Sequence, residues 1–170
     1  QDDVTVTFAD PQVEDSVRGL FSLDAAADIT CADVQQQFPP QLNGDGQETN
    51  NLINLNRCDP HAPKVSSLEG LQHLVHLARL ELTCNGLTDI SRLASLTGLV
   101  EINLDDNLIE DISPLAGLTR PQVLGLYNNR VRNIDALSGL HDLQILYLSE
   151  NFVTDIAALT DLHDLRHVWL

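Results

Sequence analysis

Aliphatic and polar positions recur every 22 residues through the C-terminal half of the chain, marked by Asn85, Asn107, Asn129 and Asn151. One unit runs Leu99-x-x-Ile102-x-Leu104-x-x-Asn107-x-Ile109-x-x-Ile112-x-x-Leu115-x-x-Leu118, and the units starting at Leu77 and Leu143 match it almost position for position. The alternation in Leu-x-Leu predicts a short strand with every second residue inside. The asparagine after it is placed to satisfy backbone groups that the following turn leaves unpaired. Unrelated surface asparagines would not stay in phase with the leucines around them. The unit starting at position 121 carries Pro121 at a leucine site, which removes a donor from the strand entrance and predicts a local irregularity. Counting back from Leu77 puts Leu55, Cys58, Val65, Leu68, Leu71 and Leu74 in register, a degenerate unit containing Pro60 and Pro63, so the first regular strand is expected near Leu80.

Upstream the period stops. Asp10-Pro11 is an N-cap followed by proline at the first helical position, and Val13, Val17, Leu20 and Phe21 then share one helical face. A second short helix is expected from Thr30, which can cap across a turn to Asp33, as far as Phe38, where Pro39-Pro40 stops it. The two would close the first coil, whose open face no repeat covers. Residues 41–51 are polar and contain glycine, and are expected as an exposed loop. Asn43-Gly44-Asp45-Gly46-Gln47 is faintly like the middle of a calcium loop, but Gln41 and Leu52 stand where its end carboxylates belong. The chain thus divides into 1–54, a helical cap with a polar loop, and 55–170, a degenerate unit, four 22-residue units and the start of a further strand.

The 22-residue unit resembles the leucine-rich repeat. Asn85-Gly86-Leu87-Thr88-Asp89-Ile90, Asn107-Leu108-Ile109-Glu110-Asp111-Ile112-Ser113-Pro114-Leu115, the lead-in Val65-Ser66-Ser67-Leu68-Glu69-Gly70-Leu71-Gln72 and the stretch Phe8-Ala9-Asp10-Pro11 are similar to segments of bacterial internalin-like leucine-rich-repeat proteins. The resemblance implies an α/β solenoid, a right-handed array with a concave parallel β-sheet and an N-terminal helical cap. It also implies export or attachment to a cell surface, and recognition of a protein partner. Pro121 and the cysteine-containing insertion before the first regular repeat depart from the family pattern.

Composition narrows the function classes. With 25 acidic residues against nine lysines and arginines, a formal charge of -16 repels nucleic acid and anionic membranes. Aromatics are only 4%, so the core must be aliphatic. No apolar run reaches the roughly 20 residues of a membrane helix. The first residue, Gln1, suggests removal of an upstream segment, either a cleaved signal peptide or vector-derived sequence. Cys31, Cys58 and Cys84 fit neither a zinc ribbon nor a Cys-x-x-Cys redox motif. In an exported protein, a Cys31 to Cys58 disulfide with one leftover thiol is the favoured pairing, because both residues precede the regular repeats; the alternative is three small buried apolar side chains. No metal or other cofactor is expected. His141 and His163 lie one period apart, but threonine fills their position in neighbouring units, as expected of exposed turns.

Strand alternation also names the outer face of the sheet. Its first two strands present charge, with Arg79, Glu81, Glu101 and Asp105, and its last three gather Val123, Tyr127, Ile145, Tyr147, His167 and Trp169. Exposed aromatics in one patch are the usual anchors of a protein interface, so these residues, with Glu101 and Asp105, are the expected partner-binding face. The competing reading is that they merely continue the sheet surface or pack on further repeats. No nucleophile sits beside a histidine and an acid, and no phosphate-cradling loop is present, so an enzyme is not expected. The expectation is a non-enzymatic protein-recognition module, extracellular or at a bacterial cell surface. The alternatives are an accessory subunit of a larger assembly or filament, docking other copies through an uncapped edge near Leu170, and an intracellular scaffold.

Overall fold

The repeat becomes a coil because each 22-residue unit can hide its leucines only against the units on either side. The computed structural model describes residues 5–21, 29 and 52–170, without the side chains of Leu20 and Phe21. The expected helix from Thr30 to Phe38, the loop at 41–51, Cys31 and the side chains of Leu20 and Phe21 lie outside the described residues. Helix α1 spans Pro11–Phe21. Six strands follow, β1 (Leu52–Asn54), β2 (Arg79–Glu81), β3 (Glu101–Asn103), β4 (Val123–Gly125), β5 (Ile145–Tyr147) and β6 (His167–Trp169). They form one all-parallel sheet in chain order. The first five strands bury their central residues, Ile53, Leu80, Ile102, Leu124 and Leu146 being at most 1% exposed, whereas Val168 of β6 is 37% exposed. A single aliphatic core runs from Val13 and Val17 of α1 to Leu148 and Leu162.

On the opposite side, each of the later coils returns through a short 3-10 turn, as at Ser91–Ser95, Ser113–Leu115, Asp135–Leu137 and Ala157–Leu159. A side-chain oxygen two residues earlier caps the first N–H of each turn: Asp89 to Ser91, Asp111 to Ser113 and Asp155 to Ala157, all at 2.8 Å, and Asn133 to Asp135 at 2.7 Å. The N–H of Ser91 holds the Asp89 carboxyl below its ordinary pKa, and that of Ser113 does the same for Asp111.

The structure corrects the register of the first unit. Later strands pair 22 residues apart, whereas β1 pairs with β2 at a separation of 27, Asn54 lying opposite Glu81. Val65, Leu68, Leu71 and Leu74 keep the 22-residue phase and are buried. Leu55 stands opposite Leu82 rather than Leu77, and Ile53 rather than Cys58 occupies the central strand position. A strand therefore precedes the one at Leu80, and the segment around Pro60 and Pro63 bulges out as extra length. The irregularity at Pro121 is confined to one bond. Leu77, Leu99, Leu143 and Leu165 each donate an N–H to the carbonyl three residues back, at 2.9 to 3.1 Å. Proline has no N–H to donate, yet β4 keeps its register with β3 and β5.

Several contacts seat the N-terminal segment on the first coil, among them those of Gly70 and Asp10. Gly70 has φ +100°, and a Cβ there would lie 2.2 Å from the Phe8 ring, so the position requires glycine for both its backbone and its neighbour. Asp10, 1% exposed, accepts Gln12 N at 2.8 Å as helix cap and takes both the N–H (2.5 Å) and the hydroxyl (2.8 Å) of Ser66. Burial pushes its carboxyl pKa up, but the hydrogen bonds from Ser66, Gln12 and Val13 together outweigh this and leave it lowered. Asp10→Ala is expected to destabilise the chain by about 2 kcal/mol at neutral pH, since a cap and a long-range tether go together. Because the folded pKa lies below the unfolded one, the contribution is full above the unfolded value and vanishes as pH falls through the folded value. Thermal melts of both proteins from pH 7 to pH 2 check this. The gap in Tm should close in acid, and a gap independent of pH would contradict it.

Candidate functional site

The outward side chains of the sheet stand in three rows. Pairing across the strands aligns Glu81, Asn103, Gly125, Tyr147 and Trp169 in the central row, and Arg79, Glu101, Val123, Ile145 and His167 in the flanking row. Two residues beyond the central row, Thr83, Asp105, Tyr127 and Ser149 form the third.

At the β1 to β3 end the rows are polar and mutually bonded. Glu81 Oε2 accepts the side-chain amides of Asn54 (2.5 Å) and Asn56 (2.8 Å). Asn56 Oδ1 takes Thr83 N at 2.7 Å, and Thr83 Oγ1 donates to Asn103 Oδ1 at 3.0 Å. Asp105 N also donates to Asn103 Oδ1, at 3.0 Å, and Asp105 Oδ1 accepts Tyr127 N at 2.8 Å. Burial raises the Asp105 pKa; the Tyr127 N–H opposes that and the Asp106 charge adds to it, and the net shift is upward. Glu101 meets Arg79 Nε at 3.6 Å, an exposed pair worth well under about 1 kcal/mol.

At the β4 to β6 end the rows are aromatic and apolar. Tyr147 and Trp169 stack with centroids 4.5 Å apart and planes 12° from parallel, and His167 stacks on Trp169 at 5.7 Å. Tyr127, Tyr147 and Trp169 are 41%, 37% and 44% exposed, while Val123 and Ile145 beside them are half-buried. The sequence-expected residues are thus split, with Tyr147, His167 and Trp169 in one stacked group, Val123 and Ile145 adjoining it, Tyr127 one row away beside Asp105, and Glu101 tied to Arg79.

At the strand exits lies the asparagine ladder. Asn85, Asn107 and Asn129 are buried, and the side-chain amides of all four asparagines reach carbonyls of their own and the preceding coil, as Asn107 does with Leu104 (2.9 Å) and Leu82 (3.0 Å). The residue before each, Cys84, Asp106, Asn128 or Glu150, has φ between 50° and 63°, and this left-handed step turns the chain out of the strand. Cys84 there is bonded to Cys58, with Cα atoms 4.9 Å apart. The expected Cys31 to Cys58 pairing is therefore overturned: the extra length of the first coil carries Cys58 alongside β2's exit.

Only the structure shows that Gly125 interrupts the central row and that Asn54, Asn56 and Asn103 form a bonded network. A glycine aligned with Asn103 and Tyr147 was the available signal. Elsewhere, a polar groove between the first coils is lined by Ser66, Ser67, Thr88, Asp89 and Arg92, and Arg92 is ion-paired to Glu69. Arg132 lies over the exposed Phe152 ring at 4.7 Å. Among the described residues no group of three or more His, Cys, Asp or Glu side chains could hold a metal ion, and no helix is long and apolar enough to cross a membrane.

A family model described as leucine-rich repeats (2 copies) matches residues 75–117 and 122–167, more than half of the chain. The chain belongs to the leucine-rich-repeat family. No curated protein matches this leucine-rich-repeat chain. Among solved structures it resembles an internalin (inlF) from Listeria monocytogenes, with TM-score 0.63 and 24% identity over 96% of this chain and 50% of that one. It also resembles the functional domain of InlJ from the same species, described as including a cysteine ladder, with TM-score 0.68 and 21% identity over 91% of this chain and 30% of that one. The chain thus spans half or less of the length of these structures. At such identities the likeness is one of fold, and the solenoid is internalin-like.

Proposed function

We propose that this leucine-rich-repeat chain is a non-enzymatic recognition module that binds a protein partner on the concave face of its sheet, outside the cell or on a bacterial surface. Leucine-rich-repeat proteins bind protein partners, and the observation that carries the reading here is the aromatic strip. Tyr127, Tyr147 and Trp169 stand exposed on a rigid sheet, two of them stacked. Large planar side chains held in this way cover much area while losing little entropy on binding, which is the profile of an interface anchor. The Cys58 to Cys84 cross-link suits an oxidising compartment and weighs against an intracellular scaffold.

In the test, the wild-type chain and a Tyr147→Ala/Trp169→Ala variant serve as baits for extracts of the native source, with mass spectrometry of what is retained. Both side chains point away from the core, so the variant should melt within a few degrees of wild type. Loss of two anchors should weaken a concave-face partner by about 100-fold or more. A partner held equally by both baits counts against this face. Recovery of the chain's own copies with both baits would instead favour an assembly subunit docking through the last coil, where Phe152, Ile156, Val168 and Leu170 are exposed.

A further inference from the structure

The flank of the solenoid where the chain leaves the sheet carries a second exposed patch. Past the asparagine ladder a further set of bonds joins the coils, from Leu108 N to Leu87 O, Arg130 N to Ile109 O and Phe152 N to Val131 O, each 2.9 Å. Ile109 and Val131 are buried and give their N–H groups to Asn129 and Asn151, both at 3.0 Å. Alternation about them turns Leu108 with Glu110, and Arg130 with Arg132, out to solvent, and the 22-residue period sets Phe152 and Thr154 beside the arginines. Leu108 and Phe152 are 39% and 52% exposed. Arg132 lies over the Phe152 ring, and both arginines line an open groove that runs towards the 3-10 turns. The carboxylates of that groove have partners: Glu110 is 3.7 Å from Arg130 Nη1, Asp111 accepts the N–H and the hydroxyl of Ser113, and Asp135 accepts the Asn133 amide. Arg132 alone among the groove's charged groups has no side-chain hydrogen bond or ion pair among the described residues.

We infer that this flank is a second interaction surface, and that it takes a protein segment presenting a carboxylate next to an apolar side chain, the carboxylate on Arg132 and the apolar group on the exposed part of Phe152. Two of the nine lysines and arginines of a chain of net charge -16 stand here, two residues apart on one side of the backbone. The Phe152 contact fixes where the Arg132 charge sits without supplying an acceptor oxygen, so the planar fork meets a carboxylate with little further side-chain entropy to lose. Arginine beside an exposed aromatic ring, with Leu108 adjoining, is also the composition of an interface hot spot. A single acidic segment can reach the pair, whereas the charge of the whole chain repels an extended polyanion. The inference does not depend on the concave-face reading, since none of these residues belongs to the three rows of the sheet.

The probe is the peptide acetyl-Glu-Phe-Gly-amide, titrated into 15N-labelled protein at fixed ionic strength, beside its glutamine counterpart, which keeps the shape and loses the charge. Saturable shifts are expected at the backbone amides of Val131, Arg132 and Phe152 and at Arg132 Nε–H, with the glutamate peptide bound about threefold or more tighter. Because the rest of so acidic a chain disfavours an anion, a preference for glutamate reports a local cation. Arg132→Gln should keep a folded spectrum, since that side chain touches an exposed ring, yet lose the preference; Arg120→Gln, an exposed arginine elsewhere, should keep it. Phe152→Ala should weaken both peptides. No saturation at these amides, or a glutamate preference unchanged in folded Arg132→Gln, would overturn the inference. Shifts at the same amides on raising the protein concentration alone would also overturn it, by making a second copy of the chain the occupant. Tyr147→Ala/Trp169→Ala should bind both peptides as wild type does, so the two surfaces fail separately.

Discussion

Asn107→Ala is expected to destabilise the protein by about 4 kcal/mol, the largest effect of any single polar substitution in the array. Asn107 is 4% exposed and makes five hydrogen bonds. Its amide donates to the carbonyls of Leu82 (3.0 Å), Leu104 (2.9 Å) and Asp105 (3.0 Å), and its Oδ1 accepts the N–H groups of Asn85 (3.1 Å) and Leu87 (3.0 Å). The three carbonyls can lean on other bonds. Leu104 O also receives Asn129 Nδ2, and Asp105 O receives Cys84 N. The two N–H groups lose the partner named here and stay buried, at roughly 1 to 3 kcal/mol each. Because a solenoid is stable only through contacts between neighbouring coils, a break in the middle should also let the two ends unfold separately. Urea unfolding followed by circular dichroism checks both, with the exposed Gln122→Ala as control. A loss no larger than that of the control would show that the ladder is not what joins the coils.

Cys58→Ser is expected to lower stability by about 3 kcal/mol, or Tm by about 9 °C. The disulfide closes a loop of sequence separation 26 between the irregular first coil and the exit of β2, so its removal restores much freedom to the unfolded chain. It also ties down the bulge containing Pro60 and Pro63. Cys84→Ser should match Cys58→Ser, as should reduction of the wild type by a phosphine. Cys31→Ser should leave Tm unchanged. A large effect of Cys31→Ser with none from Cys84→Ser would restore the pairing expected from the sequence and refute the one described here.

Most of the sheet's outer face is legible in the sequence. Strand alternation put Tyr147 and Trp169 outward, and the period put them on adjacent strands, so their stacking at 4.5 Å is the spatial form of a 22-residue spacing. Asp10 was legible as a helix cap, because that bond is local. Its second role, holding Ser66 from a distance of 56 residues, was not. Nor was the crowding over Gly125, where the Asp105 carboxylate bends across to Tyr127 N.

What the sequence by itself determined is most of what repeats: the inward leucines, the asparagine at each strand exit and the order of the rows. A period is a local rule, and stacking equal units converts it directly into a parallel sheet in chain order. What only the tertiary structure decided is everything that occurs once. The first strand lies five residues from where the period would put it, as 27 differs from 22, and that shift hands Cys58 to Cys84. Chain distance says little about which single side chains meet, because a bulge of a few residues moves a cysteine by a whole strand position at almost no cost in loop entropy.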